Sequence, residues 1–376
     1  MHQPGLFDVQ LRYDKIEAYN HALAKINRVI DFEHFRSTLN ELRNQERKSN
    51  AGRPPFDLVL MFKILILQSL YNLSDAQTEF QIADRISFMR FLNLNLNDRI
   101  PDEKTIWEFR DRLTKANLAE PLFSKFNHIL DQEGFTAKKG QIIDASIVQV
   151  PTQRNSRDEN EQIKQGQTPD DWNDKPSKKR QKDTDARWTK KNGRSFFGYK
   201  NHINVDVKFK LIRKFSVTSA SVHDSQAIFG LVDQFNSNKD IYADGAYRSA
   251  KIEEYLKTEG HRSQIHRKGK RNKPLSKFQQ AVNRKKSKVR CRVEHIFGMQ
   301  LKRAGSMLLR SVGESRAKTK IGLRNLVYNL TRFTFLQEAQ WRQRGESRPR
   351  ADSRPWQWEP NNSNIKQSPS NWNGFQ

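Results

Sequence analysis

The chain has 376 residues and a mass of 44.2 kDa, room for two or three domains, and its 68 Lys and Arg against 42 Asp and Glu leave a formal charge of +26. That excess predicts a polyanionic partner, DNA or RNA, because neutralising phosphates drives such binding. The single Cys291 excludes an intramolecular disulfide and a cysteine-based zinc site, and it fits a reducing cytoplasm.

The N-terminus, Met1-His2-Gln3-Pro4, is polar and predicts no secretory signal. Residues 1–135 read as helical. Ile16, Tyr19, Leu23 and Ile26 recur at three- and four-residue spacing, as on one apolar helix face. Arg53-Pro54-Pro55 breaks the chain before an apolar run, Leu58 to Leu67. That run is short of the ~20 residues a bilayer span needs, so it predicts a buried helix and no membrane partner. Ser74 and Asp75 can cap the next helix, with Phe80, Ile82 and Ile86 among its apolar members, and Pro101-Asp102-Glu103 starts another. A run of short helices like this suits either DNA-end binding or packing and dimerisation.

From residue 140 the pattern changes. Gln141–Val150 reads as a strand. Residues 153–195 are polar, first acidic and then basic, and are expected to form a flexible insertion, since so few aliphatics cannot build a core. Phe197–Val207 and Leu211–Val217 alternate like antiparallel strands joined by Lys208-Phe209-Lys210. A helix over Asp224–Phe235, a short strand at Ile241–Ala243 and a helix over Ala250–Lys257 follow. Residues 266–303 hold fourteen Lys or Arg and one acid, Glu294, with a long helix expected from Ala281. Leu323 to Leu336 predicts a last apolar helix, and 338–376, with tryptophans scattered among Arg, Pro, Ser and Asn, predicts a disordered tail.

Three carboxylates stand out. Asp144 ends the apolar run Gln141-Ile142-Ile143, Asp244 ends Ile241-Tyr242-Ala243, and Glu294 sits in the helical stretch Val293-Glu294-His295-Ile296-Phe297. The element order suits an α+β chain, an all-helical N-terminal region ahead of an RNase H-like mixed sheet flanked by helices. In that architecture the first and fourth strands of the catalytic domain are neighbours, which brings together Asp144 and Asp244 from 100 residues apart, with Glu294 following 50 residues later. Such hard oxygens suit Mg²⁺, with Mn²⁺ able to substitute. A pair of ions roughly 3.5–4 Å apart can activate water and stabilise a leaving oxygen on phosphorus. His295 reads as a surface or packing residue, and Asp224, after His223, as a helix start.

Ile142-Ile143-Asp144-Ala145-Ser146, Tyr242-Ala243-Asp244-Gly245-Ala246-Tyr247 and Arg290-Cys291-Arg292-Val293-Glu294-His295-Ile296-Phe297-Gly298 resemble the three motifs of bacterial DDE transposases, most closely those of the insertion sequence five family. Leu73-Ser74-Asp75-Ala76-Gln77-Thr78-Glu79 and Pro101-Asp102-Glu103-Lys104-Thr105 resemble that family's helical N-terminal region, so the likeness spans roughly residues 5–336. In the family's glutamate motif (Tyr, two residues, Arg, three residues, Glu, six residues, Lys) Arg290 and Glu294 match. Ser287 stands at the Tyr position and Leu301 at the Lys position, with Lys302 one residue later.

The resemblance implies a DNA transposase that cuts at the ends of an insertion sequence and joins the freed 3′-hydroxyl to target DNA. Asp144, Asp244 and Glu294 would be its catalytic and metal-binding residues. Arg290, Arg292, Lys285, Lys286, Lys288 and Lys302 would hold the phosphate backbone. Residues 1–135 would read the terminal inverted repeats or mediate dimerisation, 140–336 would do the chemistry, and the protein would act in the cytoplasm on the nucleoid as a homodimer or higher oligomer. The alternatives are a metal-dependent nuclease on the same fold, and a non-catalytic DNA-binding protein derived from a transposase. Concentrated negative charge beside DNA counts against the latter.

Overall fold

The computed structural model describes residues 5, 7–19, 21–43, 54–269, 273–304 and 308–345. The N-terminal region is all helical: α1 (Asp8–Ala18), α2 (Ala22–Val29), α3 (Arg36–Leu39), α4 (Leu58–Tyr71), α5 (Asp75–Asp84), α6 (Ile86–Leu92), α7 (Glu103–Lys115) and α8 (Ala119–Gln132). The apolar run at 58 is the buried helix α4. Asp57 accepts from the backbone N–H groups of Val59 (2.9 Å) and Leu60 (3.1 Å), satisfying orphan donors of the first turn, and Asn72 ends the helix in a left-handed conformation. Ser74 and Gln77 form a capping box at α5, and Asp102 caps α7. Two expectations fail here. The face through Ile16, Tyr19, Leu23 and Ile26 is split between α1 and α2: the extended backbone at His21 resets the helical phase, which buries Leu23 and Ile26 and leaves Tyr19 81% exposed. In α5 the inward positions are Thr78 and Ile82, so Phe80 points out, 64% exposed. The basic residues Arg47, Lys48 and Arg53 lie outside the described residues.

The second region opens with β1 (Gln141–Gln149). An insertion follows with α9 (Arg157–Lys164), α10 (Pro176–Gln181) and β2 (Arg187–Lys191), then β3 (Arg194–Asp206), β4 (Ile212–Ser219), α11 (Ile228–Leu231), β5 (Asp240–Tyr242), α12 (Ala250–Thr258) and β6 (Arg262–Ser263). The chain continues through α13 (Lys277–Arg290), α14 (Arg292–Ala304) and α15 (Glu314–Arg344). The sheet runs β2-β3-β1-β5-β6, with β4 also paired to β3. β1, β3 and β4 are antiparallel neighbours, while β5 joins β1, and β6 joins β5, in parallel. With the insertion set aside, the first and fourth strands are adjacent, as the RNase H-like order requires.

The insertion is folded, contrary to the expectation of a flexible segment. Ser156 and Glu159 build a capping box at α9. Trp172 is fully buried and donates from Nε1 to Glu159 Oε1 at 2.7 Å, where Lys178 also binds at 2.6 Å. Asp183, also buried, accepts from the Tyr199 hydroxyl (2.8 Å) and the backbone N–H groups of Ala186 (3.0 Å) and Gly313 (3.2 Å). One tryptophan and one buried carboxylate thus replace an aliphatic core.

Two further expectations are corrected. The long helix from Ala281 is two helices meeting at Cys291. α13 buries nothing, whereas the bend turns Val293 and Ile296 of α14 into the core. The last helix runs on to Arg344, so residues 338–344 are not tail: Glu338 is buried and pairs with Lys25 of α2 at 3.0 Å. Residues 346–376 lie outside the described residues.

α15, 31 residues long, is the axis of the molecule. Its Leu323, Leu326, Leu330 and Phe333 join one apolar cluster with Leu23 of α2, Phe62 of α4, Phe126 of α8, and Ile142 and Ile203 of the sheet. The helical region and the sheet therefore share a core. Polar side chains of α15 fix its position. Asn329 accepts from Ile212 N (2.9 Å) and donates to Ile212 O (2.7 Å), imitating a strand partner for β4. Asn325 exchanges hydrogen bonds with Asn201 of β3 (2.9 and 3.1 Å) and accepts from Gln300 of α14 (3.0 Å).

His202 of β3 is fully buried beside Thr218 Oγ1 (2.9 Å), and burial lowers its pKa to about 4. The unfolded chain's histidine, with its ordinary value of 6.5, takes up a proton there that the folded protein refuses. Stability present above pH 6.5 is therefore lost as pH falls towards 4, at about 1.4 kcal/mol per pH unit for one such group. Urea midpoints at pH 7 and pH 4.5 should separate more for the wild type than for His202→Gln. Equal separations would place the acid sensitivity elsewhere.

Candidate active site

Asp144 is the fourth residue of β1, between buried Ile143 and the β3 strand, and opposite Ile203. Its side chain is 17% exposed, and its Oδ1 accepts from Ala145 N at 2.8 Å. Asp244 follows β5 by two residues. The parallel register Gln141↔Ile241 and Ile142↔Tyr242, carried onward, sets position 144 beside 244. Asp244 Oδ1 accepts from Gly245 N at 2.6 Å and starts a tight turn, Gly245–Tyr247. Register at this edge is guarded by Gly140, at φ +92°, where a Cβ would lie 2.8 Å from Asp240 O. Glu294 stands in the first turn of α14 with its side chain 62% exposed, beside the inward Val293 and Ile296.

One guanidinium joins the first strand to the last motif. Arg290, at the end of α13, donates from Nη1 to Asp144 Oδ2 at 2.8 Å and from Nη2 to Glu294 Oε1 at 3.3 Å. Burial raises the Asp144 pKa against the opposing pull of Ala145 N–H, Arg290 and Lys191, and Asp244 adds to the rise. Among the described residues no three Asp, Glu, His or Cys side chains stand close enough to share one metal ion. Arg290 occupies the space between Asp144 and Glu294.

Four residues linked to the acids, Tyr247, Asp224, Lys200 and Lys191, were given no role at the site from the sequence. Tyr247 is buried with no hydrogen-bond partner for its hydroxyl; its pKa is raised by burial and then by the charges of Asp144, Asp224 and Asp244. Asp224 starts a short helical turn as expected, yet it also pairs with Lys200 at 2.9 Å. Lys191, from β2 of the insertion, is within electrostatic reach of Asp144. The adjacent pair His223-Asp224 and the place of Tyr247 in the second motif were the sequence signals for this group.

The basic residues divide by environment. Lys285, Lys288 and Lys302 are exposed. Lys286 is half-buried, donates to Ile265 O at 3.3 Å, and has its pKa lowered by burial and then by Arg248 and Arg267. Arg292 is braced on Val207 O at 2.8 Å, just past β3, and so helps to hold α14 against the sheet. Among the described residues no single helix is long and apolar enough to cross a membrane.

Residues 11–112 match the model of a transposase domain (DUF772), and residues 136–330 match that of the transposase DDE domain. A solved structure of a piggyBac transposase in a synaptic complex with hairpin DNA is similar at 12% identity and a TM-score of 0.44, over 88% of this chain and 77% of that one. At that level the fold rests on the strand order and the family match. The DDE match spans more than half of the chain and encloses Asp144, Asp244 and Glu294, so the protein belongs to the DDE transposase family and is an enzyme that acts on DNA with a divalent metal.

Proposed function

We propose that Asp144, Asp244 and Glu294 are the catalytic carboxylates, and that the protein cuts at the terminal inverted repeats of an insertion sequence and joins the freed 3′ end to target DNA. The observation that carries this reading is the parallel β1/β5 register, which sets Asp144 beside Asp244, with Arg290 reaching from Asp144 to Glu294. By its chemistry the donor set suits a divalent cation, which would have to displace Arg290 from between Asp144 and Glu294. The hard carboxylate oxygens of Asp144, Asp244 and Glu294 match Mg²⁺, with Mn²⁺ able to substitute. When bound, such ions supply Lewis-acid stabilisation of charge on phosphorus and a water of lowered pKa.

The residues themselves position and neutralise. Asp144 is held rigidly on a strand, with one oxygen fixed by Ala145 N–H and the other by Arg290. Arg290 and Lys191 keep negative charge tolerable where DNA phosphates must approach. Exposed Lys285, Lys288 and Lys302, with Lys286 at the edge, carry the backbone of the DNA, and Arg292 contributes by holding α14 in place. End recognition falls to residues 1–135, whose helices can enter a groove, while the contacts of 140–336 are mainly to phosphate. Assembly as a homodimer or higher oligomer is supported by α1, which buries none of its residues and leaves Val9 and Leu11, with Phe7 before it, exposed. The site of action is the cytoplasm, on the nucleoid.

A labelled donor end with a free 3′-hydroxyl, incubated with supercoiled plasmid and Mg²⁺, should become covalently joined to plasmid. Nicked or linear plasmid without joined label would replace the transposase reading by a nuclease.

A further inference from the structure

A cavity of about 620 Å³ lies away from the three carboxylates, where α4, α5 and α7 of the helical region meet α15 and the segment 308–312. Six cations line it: Arg110, Arg180, Arg310, Arg316, Lys320 and Arg324; its carboxylates are Asp75 and Asp111. Both acids are already engaged. Asp75 binds Arg110 through two hydrogen bonds of 2.6 and 2.7 Å, and Asp111 binds Arg316 at 2.9 Å and Lys115 at 3.0 Å. Arg316, Lys320 and Arg324 follow at four-residue spacing and so share one face of α15. The Nη1 of Arg324 is buried with no hydrogen-bond partner. Trp107, 48% exposed, gives the wall a flat apolar surface.

Arg110 and Arg316 are paired, and Arg180 and Arg310 are exposed. Lys320 and Arg324 are half-buried, with no carboxylate in an ion pair with either among the described residues. Cations left so are costly to a folded protein unless something negative approaches them. The cost is visible in Lys320, whose pKa falls to about 8, through burial and then through Arg110, with Arg324 and Arg316 adding to it. No carboxylate opposes the burial that lowers the Arg324 value. The cavity is also tied to the catalytic strand. Leu309, in its wall, donates from its backbone to Gln149 O at 2.7 Å, at the end of β1, about 17 Å along the strand from Asp144.

We propose that this cavity binds phosphate groups of a DNA strand, clamped between the helical region and α15 while the strand runs on towards the carboxylates. This rests on the transposase reading. Guanidinium forks suit phosphate oxygens, and the indole face suits the sugar or base beside them. A structural role for the same residues predicts the opposite stability effect, because Lys320 and Arg324 then act as core supports and not as a ligand site.

The test compares full-length wild type, Lys320→Met/Arg324→Met and the charge-preserving Lys320→Arg/Arg324→Lys for affinity to labelled DNA across a salt series, and for Tm without DNA. The Met pair should lose about tenfold or more in affinity and flatten the log–log salt slope by about 1.8, from roughly 0.9 per phosphate contact, with Tm unchanged or higher. The charge-preserving pair should stay near wild type. Wild-type affinity and slope in the Met pair would overturn the proposal and leave the transposase reading intact. So would equal losses in both pairs, or a Tm fall in the Met pair that accounts for its lost binding. Tripolyphosphate serves as the free-phosphate probe: if it raises wild-type Tm but does not compete with DNA, the cavity takes free phosphate and the strand assignment fails. A wild type that binds no DNA would remove the transposase reading and the proposal with it.

Discussion

Asp144→Asn, Asp244→Asn and Glu294→Gln are each expected to lower DNA strand cleavage by about 10³-fold, with DNA affinity within a few fold of wild type. A metal-stabilised transition state loses several kcal/mol when a ligand is neutralised, and each 1.36 kcal/mol is tenfold in rate. Affinity persists because the phosphate contacts reside in other residues. Asp144→Asn carries a second signature. Burial raises the Asp144 pKa above its ordinary value, so the ionised form is less favourable folded than unfolded, and that cost grows as pH rises through the unfolded value. A neutral Asn is spared it, so Asp144→Asn should match or exceed wild-type Tm at pH 7. Nicking of supercoiled plasmid and a melting scan read both effects. Cleavage at the wild-type rate in any one variant removes that residue from the site, and a large Tm loss in Asp144→Asn makes its role structural.

Arg290→Ala is expected to transfer stability from the protein to the metal. Arg290 is the one side chain hydrogen-bonded to both Asp144 and Glu294 among the described residues. Without it a largely buried carboxylate loses its counter-charge, an error that costs about 3–5 kcal/mol for a fully buried pair and less here, where Arg290 is 22% exposed and Glu294 is 62% exposed. Tm in EDTA should fall by several degrees. Added Mn²⁺ should then raise Tm more than in the wild type, because ligand binding to the folded state alone stabilises it by mass action and the competing guanidinium is gone. An equal Mn²⁺ increment in both proteins would show that Arg290 does not share the space of the cation.

The sequence was most legible where local pattern and long-range geometry agree. The apolar run ahead of Asp144 became the buried opening of β1, Gln141–Ile143, and the run ahead of Asp244 became β5, which ends two residues before it. Caps at Ser74 and Asp102 were readable since each helix start is decided within four residues. The insertion was not legible. Its core consists of Trp172, Ile163 and a buried Asp183 whose partners include Tyr199, 16 residues on, and Gly313, 130 residues on. Composition cannot register partners that distant. The bend at Cys291 escaped for a related reason. Helical propensity continues straight through it, and only the docking of Val293 and Ile296 on the sheet requires the break. Arg290 was legible as a motif residue expected on DNA phosphate, yet it lies on Asp144 and Glu294, and its pairing with Asp144 spans 146 residues, which no local pattern signals. Tyr247 was present in the second motif, but nothing in a linear pattern marks its hydroxyl as buried without a partner.

The most direct test of the assignment of Asp144, Asp244 and Glu294 is to map where a metal sits. Fe²⁺ has the same hard-oxygen preference as Mn²⁺ in such a site, and with ascorbate and peroxide it cuts the polypeptide backbone close to where it is bound. The site described here predicts cuts clustered at three places far apart in sequence, near residues 144, 244 and 294, all suppressed by excess Mg²⁺. Cuts confined to other segments, or cuts near 144 and 244 with none near 294, would contradict it.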